Sequence, residues 1–379
     1  MTDSAPTPRH HPGRGYGRAA ALLVAPLTLG LTLTACGPSP VDMVEHPMTT
    51  TPSRMAGEEL QRAAEPENSC APEPAPAEFT GTGDREVRTA EPGVDAVEVP
   101  RSPERILALG VTAVDVACAL GLQDLVVGTS GLPRDADVYL PSPLIDLPEV
   151  VTSGSTPTEV STAARGLTPD LIVVGDDDLD PAVVDALSSV APTVVYDSAT
   201  LSWAAASEMI ADAYGRPRAG GDVLLSVIEQ AQMTEVAATP SDSRVSLVSL
   251  VSVGGTDGDG ATVQAPDTLG SLMLEAVGAG RPPSQLTRDG VRIPPLPESP
   301  AVGDELDGDV IFAVVGGTPD AEDDAREVFA SDRWTELDAV GAKRIFVVDR
   351  AVWEGAGPVA ARAVLEDIRA SINGIAPDG

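Results

Sequence analysis

Histidine is almost absent from this sequence, and the places where it occurs exclude several kinds of chemistry. The 379 residues contain three histidines, His10, His11 and His46, all near the amino terminus. The rest of the chain therefore cannot form a Ser-His-Asp or Cys-His catalytic group, a histidine-bound zinc site or a histidine-ligated haem. This composition favours binding over catalysis, and we expect neither an enzyme nor a resident cofactor.

Lysine is also scarce, and the common nucleotide-binding loops are absent from the sequence. Lys343 is the only lysine, and no serine lies three residues before it, which excludes the Ser-x-x-Lys group of penicillin-binding proteins and β-lactamases. The sequence has no Walker A loop and no Gly-x-Gly-x-x-Gly turn after a strand. The formal net charge of -34 argues against nucleic acid or an anionic lipid surface as a partner, because like charges repel. An acidic surface that keeps the protein soluble is the simplest explanation.

The first 35 residues have the pattern of a lipoprotein signal peptide. Arg9, Arg14 and Arg18 precede the apolar run 19–33, which ends in the lipobox Leu-Thr-Ala-Cys36. The run is shorter than the roughly 20 apolar residues that a membrane-spanning helix needs. We therefore expect a mature protein that begins at a lipidated Cys36 and is held on the extracytoplasmic face of the cell membrane by lipid alone. A poor membrane anchor is the alternative.

Lipidation of Cys36 leaves two cysteines, Cys70 and Cys118, in an oxidising compartment. An even pair in that setting predicts a disulfide. Closing a loop of this length stabilises the fold by about 4 kcal/mol on the chain-entropy model. The alternative is a buried thiol at Cys118 and a free exposed thiol at Cys70.

Composition divides the chain into five parts. After the signal peptide, 1–35, residues 36–97 are rich in proline, alanine, glutamate and threonine, which predicts a disordered, lipid-anchored tether. In 98–200, short β-rich runs alternate with amphipathic helices, a pattern typical of a parallel sheet with crossover helices. Helices at 201–239 connect this lobe to a second β/α region, 240–379. The predicted fold class is α/β: two lobes, each a small parallel sheet with helices, joined by one long helix.

Five segments carry a resemblance to a known family. Their sequences are PERILALG at 103–110, ACALGLQDLVVG at 117–128, LTPDLIVVG at 167–175, APTVV at 191–195 and VWEGAGPVAARAVLEDI at 352–368. In this order they resemble the class III substrate-binding proteins, which are receptors of siderophore, haem and cobalamin ABC importers. The arrangement around Cys70, Cys118 and 281–285 is similar to mycobacterial iron-dicitrate-type lipoproteins, and the composition indicates an actinobacterial source.

The resemblance implies a ligand held in a cleft between the lobes. In such folds ligands meet the carboxyl ends of strands and the starts of the following helices, where free N–H groups favour anions. Trp353 could stack on a flat ligand or pack in the second lobe, and arginines at 281, 288 and 292 could bind an anion or balance surface carboxylates. The predicted ligand-binding residues are Gly110, Val111, Thr129, Ser130, Tyr139, Gly175, Asp176, Gly254, Arg288, Arg292, Gly316 and Trp353.

The resemblance also implies one permease-docking glutamate on each lobe. Ungapped alignment places Thr162 and Leu272 at these positions, with Glu159 and Glu275 three residues away. We therefore expect a monomeric receptor that captures a ferric siderophore or similar iron chelate, with an ABC permease as a possible partner. A receptor for haem or cobalamin, and an envelope interaction protein that has lost transport, are the alternatives. A direct divalent-metal receptor is disfavoured because histidine is missing.

Overall fold

The computed structural model describes most of the chain beyond residue 65. The described ranges are 66–79, 81–91, 93–133, 136–175, 180–197, 200–234, 244–251, 260–286, 306–316 and 320–372. The predicted signal peptide, Cys36 and the first half of the predicted tether lie outside them. Within the described part, no helix has both the length and the apolar character needed to cross a bilayer.

The second half of the predicted tether is folded, which corrects the expectation of disorder up to residue 97. Strands β1 (Asp84–Arg88) and β2 (Ala96–Pro100) pair antiparallel, and each buries one valine, Val87 and Val99. Cys70 forms the expected disulfide with Cys118. Backbone hydrogen bonds from Ala71 and Ala75 to the segment around Cys118 continue this attachment. Proline-rich composition is misleading here, because contacts with distant residues order the segment.

The N lobe is built on a sheet within residues 106–196, and its four strands run parallel in the order β4-β3-β5-β6. Every residue of β3, β5 and β6 is buried, as expected for parallel strands covered on both faces. The strands are β3 (Ile106–Leu109), β4 (Val126–Ser130), β5 (Leu171–Gly175) and β6 (Thr193–Tyr196). The helices around them are α1 (Val111–Ala119), α2 (Ser142–Ile145), α3 (Pro157–Leu167), α4 (Pro181–Ser188) and α5 (Trp203–Ala213).

One helix of 18 residues, α6 (Pro217–Thr234), follows the N lobe. Proline at its first position fixes a backbone angle suited to a helix start. Gly220 lies so close to the Ala211 side chain that it has no room for a Cβ, which lets α6 pack tightly on α5. At about 1.5 Å per residue this helix spans roughly 27 Å, enough to connect two lobes.

The C lobe is built on a sheet within residues 245–349, whose strands lie in the order β10-β9-β7-β8. Strand β8 runs antiparallel to β7, whereas the other pairs are parallel. The predicted parallel sheet is present in β7, β9 and β10; β8 is the exception, because a connection of eight residues between β7 and β8 is too short for a parallel crossover. The strands are β7 (Val245–Val251), β8 (Gly260–Val263), β9 (Val310–Val315) and β10 (Ile345–Asp349).

The C-lobe helices complete a core that both lobes share. They are α7 (Leu269–Ala276), α8 (Ala321–Ala330), α9 (Asp332–Thr335), α10 (Asp338–Gly341), α11 (Arg350–Trp353) and α12 (Pro358–Ile372). Helix α12 packs against α1 of the N lobe as well as against α6 and α7. One continuous hydrophobic cluster contains Ile106 of the N lobe and Phe312 of the C lobe. The lobes are therefore joined by side-chain packing as well as by the chain connection through α6.

Candidate functional site

A cavity of about 600 Å³ opens where the carboxyl ends of the strands in the two lobes face each other. The N lobe contributes the start of α1 and the residues around the start of α5, and the C lobe contributes the start of α7 and the link between α11 and α12. The lining residues are Thr112, Thr200, Leu201, Ser202, Trp203, Ala206, Asp267, Thr268, Leu269, Leu272, Glu354, Gly355 and Ala356. Each lobe thus presents both apolar and polar side chains to the same space.

Two of the helices that begin at the cavity, α5 and α7, are capped by the side chain of their N-cap residue. The Ser202 hydroxyl accepts a hydrogen bond from the backbone N–H of Ala205 at the start of α5. The Thr268 hydroxyl accepts one from the N–H of Ser271 at the start of α7. Helix α1 begins after Gly110 without a side-chain cap. One N–H group at each of the α5 and α7 starts is therefore already bonded within the protein and does not face a ligand.

Gly110 and Gly175 hold the strand ends close to a tyrosine instead of lining the cavity. Gly110 has a φ of 108°, and a Cβ added there would lie 2.5 Å from the Tyr196 hydroxyl oxygen. A Cβ on Gly175 would lie 2.9 Å from the same oxygen. Tyr196 itself is buried. These glycines were predicted from their places at strand ends, and the structure gives them a packing reason.

Trp353 lies in the core, with none of its surface exposed. Its ring is 4.6 Å from that of Phe312, and its indole N–H donates to the Asp367 carboxylate at 2.9 Å. Gly270 packs against the indole so closely that a Cβ there would lie 2.7 Å from a ring carbon of Trp353. This arrangement is the packing alternative considered for Trp353. The ring offers no face to a ligand in this structure, although the next residue, Glu354, lines the cavity.

The aromatic side chain at the cavity is Trp203, which the sequence analysis did not single out. It is the first residue of α5, directly after the N-cap Ser202, and it is half-buried. The signal that could have found it is its place after β6, at the same sheet edge as the other strand ends. Trp203 and three leucines give the cavity its apolar surface.

The other predicted contacts fall into two groups. Thr129, Ser130 and Tyr139 are buried in the N lobe, Val111 is half-buried at the start of α1, and Gly316 is half-buried after β9; none of them is among the lining residues. The remaining predicted contacts lie outside the described residues: Asp176, Gly254, Arg288 and Arg292.

Arg281, grouped with those arginines by sequence, is engaged inside the C lobe. Its guanidinium donates to the Ser271 hydroxyl at 2.6 Å and to the Gln285 side-chain oxygen at 2.9 Å. Gln285 in turn donates to the Ser246 hydroxyl at 2.7 Å. Burial lowers the pKa of Arg281 to about 10. The residue holds the loop after α7 against β7.

A buried carboxylate that the sequence did not reveal lies beside the cavity. Asp115 of α1 accepts hydrogen bonds from the backbone N–H groups of Val359 at 2.8 Å and Ala360 at 3.0 Å, at the start of α12. Burial raises the pKa of Asp115 to about 6, and the two N–H donors oppose that rise. Asp115 thereby connects the N lobe to α12.

The two docking positions differ in their surroundings. Thr162 is exposed on α3, and its hydroxyl donates to the Thr158 carbonyl. Leu272 lines the interlobe cavity. Of the nearby acids, Glu159 accepts hydrogen bonds from the Thr156 backbone and hydroxyl, which lower its pKa, and Glu275 is exposed on α7. Neither aligned position carries a carboxylate.

The fold is a two-lobe α/β architecture with a cavity lined by residues of both lobes. The family of periplasmic binding proteins matches residues 106–352. The chain belongs to that family, which is one of binding proteins and not of enzymes, and its parallel sheets and helices have the class III fold. Among the described residues no cluster of metal-ligating side chains occurs.

Individual relatives are distant. The probable siderophore-binding lipoprotein YfiY of Bacillus subtilis is 24% identical over 278 residues, covering 71% of this chain and 82% of the relative. The structure of Staphylococcus aureus SirA with staphyloferrin B aligns with a TM-score of 0.59 at 19% identity, covering 76% of this chain and 98% of SirA. Staphylococcus aureus FhuD2 with ferrioxamine B aligns with a TM-score of 0.56 at 19% identity, covering 71% and 98%. At these identities the structural likeness shows the fold.

Proposed function

We propose that this protein is a lipid-anchored receptor that captures a ferric siderophore or a similar iron chelate in its interlobe cavity, for import by an ABC transporter. The observation that carries the proposal is the cavity itself, which lies where both sheets end. Its volume of about 600 Å³ falls within the roughly 300–1,000 Å³ of small-molecule sites. Relatives described as siderophore-binding proteins share the family or the fold.

The lining suits a preassembled chelate better than a bare metal ion. A chelate presents an outer surface of methylene and amide groups, which can pack against Trp203, Leu269 and Leu272. A bare ion needs several ligating side chains in one place. The lining supplies hydroxyls from both lobes and two carboxylates, Asp267 and Glu354, from the C lobe, so few ligating groups come from any one element.

The anchor and the delivery step belong to the same proposal. The lipobox ending at Cys36 supports attachment to the extracytoplasmic face of the cell membrane. Because Thr162 and Leu272 replace the docking glutamates, Glu275, exposed near Leu272 on α7, is the carboxylate we propose for contact with a permease.

The test is titration of tryptophan fluorescence in the soluble protein that begins at Gly37. Ferric siderophores, ferric citrate, haem and cobalamin are added in turn, with a correction for light absorbed by each ligand. We expect saturable quenching by a ferric siderophore at micromolar or lower concentration, and a smaller signal from Trp203→Phe. Saturable quenching by haem or cobalamin alone would show that the receptor binds that ligand and not a ferric siderophore. No saturable response to any ligand would overturn the receptor function in favour of an envelope interaction protein.

A further inference from the structure

The side chains that line the interlobe cavity carry more negative than positive charge. Its lining residues include two carboxylates, Asp267 and Glu354, and no lysine or arginine within the described part of the chain. Asp267 is exposed just before the N-cap of α7 and has no ion-pair partner among the described residues. Glu354 accepts a hydrogen bond from Gln264 at 2.9 Å and lies 3.5 Å from the Arg350 guanidinium. The unbalanced charge is therefore concentrated at Asp267.

The arginines next to the lining are committed to other groups. Arg350 pairs with Glu354, as described above. Arg281 is held by Ser271 and Gln285 inside the C lobe. An anionic ligand in the cavity would therefore approach the Asp267 carboxylate without a described cation to offset its charge, and a cationic ligand would be attracted.

We propose, on the basis of the proposed function, that this cavity selects an iron chelate that is neutral or positively charged. A ferric tris-hydroxamate has this character, because three singly charged hydroxamates neutralise Fe³⁺ and a pendant ammonium group adds a positive charge. A ferric tris-catecholate carries a net charge of about -3, and carboxylate chelates are also anionic. The ammonium would lie near Asp267 or over the face of Trp203, which attracts cations.

Four ferric chelates test the charge preference against the soluble protein that begins at Gly37. They are ferrioxamine B, which carries an ammonium group, its N-acetylated neutral form, staphyloferrin B, and a tris-catecholate. We expect ferrioxamine B to bind more tightly than its N-acetylated form, by about fivefold at low salt, and both to bind more tightly than the anionic chelates. Asp267→Asn should remove most of that fivefold ratio.

Asp185→Asn is the matched control, because Asp185 is an exposed carboxylate on α4, outside the cavity, and the substitution changes the net charge equally. We expect it to keep the ratio between the two hydroxamates. Equal or tighter binding of an anionic chelate, or an unchanged ratio in Asp267→Asn, would overturn the charge preference and leave the receptor function standing. Failure of all four chelates to bind would overturn the proposed function as well.

Discussion

Asp115 Oδ1 lies 2.8 Å from the backbone nitrogen of Val359, so a fully buried carboxylate of the N lobe caps the last helix of the described chain. Gly357, just before that helix, stands against the Asp115 side chain and has no space for a Cβ. A carboxylate near a helix start is stabilised by the unpaired N–H groups there. This contact fastens α1 to α12 next to the cavity.

The first prediction concerns the pH dependence of stability. The pKa of Asp115 rises from 3.8 to about 6 on folding, so the folded state binds more protons between these values. The contribution of this group to the free energy of unfolding therefore falls by about 2 kcal/mol as pH rises from 4 to 6, and levels off above about pH 7. The free energy of unfolding is measured with urea at several pH values for wild type and for Asp115→Asn. The difference between the two proteins should change with pH by this amount. Parallel curves would contradict it, and Asp185→Asn should run parallel to wild type.

The second prediction concerns the disulfide. Replacing Cys70 by serine should lower the free energy of unfolding by about 4 kcal/mol, because the unfolded chain gains the entropy of an open loop. Cys70 is the better site, since Cys118 is fully buried and a hydroxyl there would add a second cost. Reduction should lower the melting temperature of wild type and leave that of Cys70→Ser unchanged. A reductant-insensitive wild type would contradict the covalent link.

The third prediction concerns Gly110. Alanine at this position would have a strained φ and a Cβ against the Tyr196 hydroxyl, so we expect a loss of about 2–4 kcal/mol in unfolding free energy. Tyr196→Phe in the same chain should restore part of it, because the hydroxyl is the closest group. Gly221→Ala is the control: it lies within α6 with open space around it, and should be neutral or stabilising. Similar losses at both glycines would refute the steric explanation.

The fourth prediction separates the two tryptophans. Trp353→Phe removes the hydrogen bond from the buried indole to the half-buried Asp367 and should cost about 1–3 kcal/mol of stability, while chelate affinity stays within about twofold of wild type. Trp203→Ala should weaken chelate binding by about tenfold with a smaller effect on stability. Calorimetric titration and thermal unfolding of both variants measure the two quantities. Loss of affinity in Trp353→Phe alone would restore the stacking role proposed from sequence.

The main architecture could be predicted because its signals are local. Strands β3 and β5 are uninterrupted apolar runs, and such runs are typical of parallel strands buried on both faces. The disulfide was predicted from the even number of cysteines left after the predicted lipidation of Cys36. These inferences can be made without knowing which residues distant in sequence are in contact.

What the sequence could not show depends on contacts between distant residues. Asp115 lies in an apolar helix, and its N–H donors are 244 and 245 residues away. Val87 and Val99 lie among charged and small residues, and their burial needs the hairpin and the lobe behind it. Trp203 and Trp353 both follow strands, and only packing decides that the first lines the cavity while the second joins the core.

The position of the Cys70–Cys118 bridge also determines how the anchored protein would respond to mechanical force. Tension applied from an anchor at the amino-terminal side would meet the exposed hydrogen bonds from Ser142 to Glu67 and then the covalent bond from Cys70 to Cys118, which is buried in α1. The hairpin β1–β2, which lies between these cysteines in sequence, is thus shielded from the load. Pulling on the anchor would not peel off the segment that precedes the sheet until α1 itself yields.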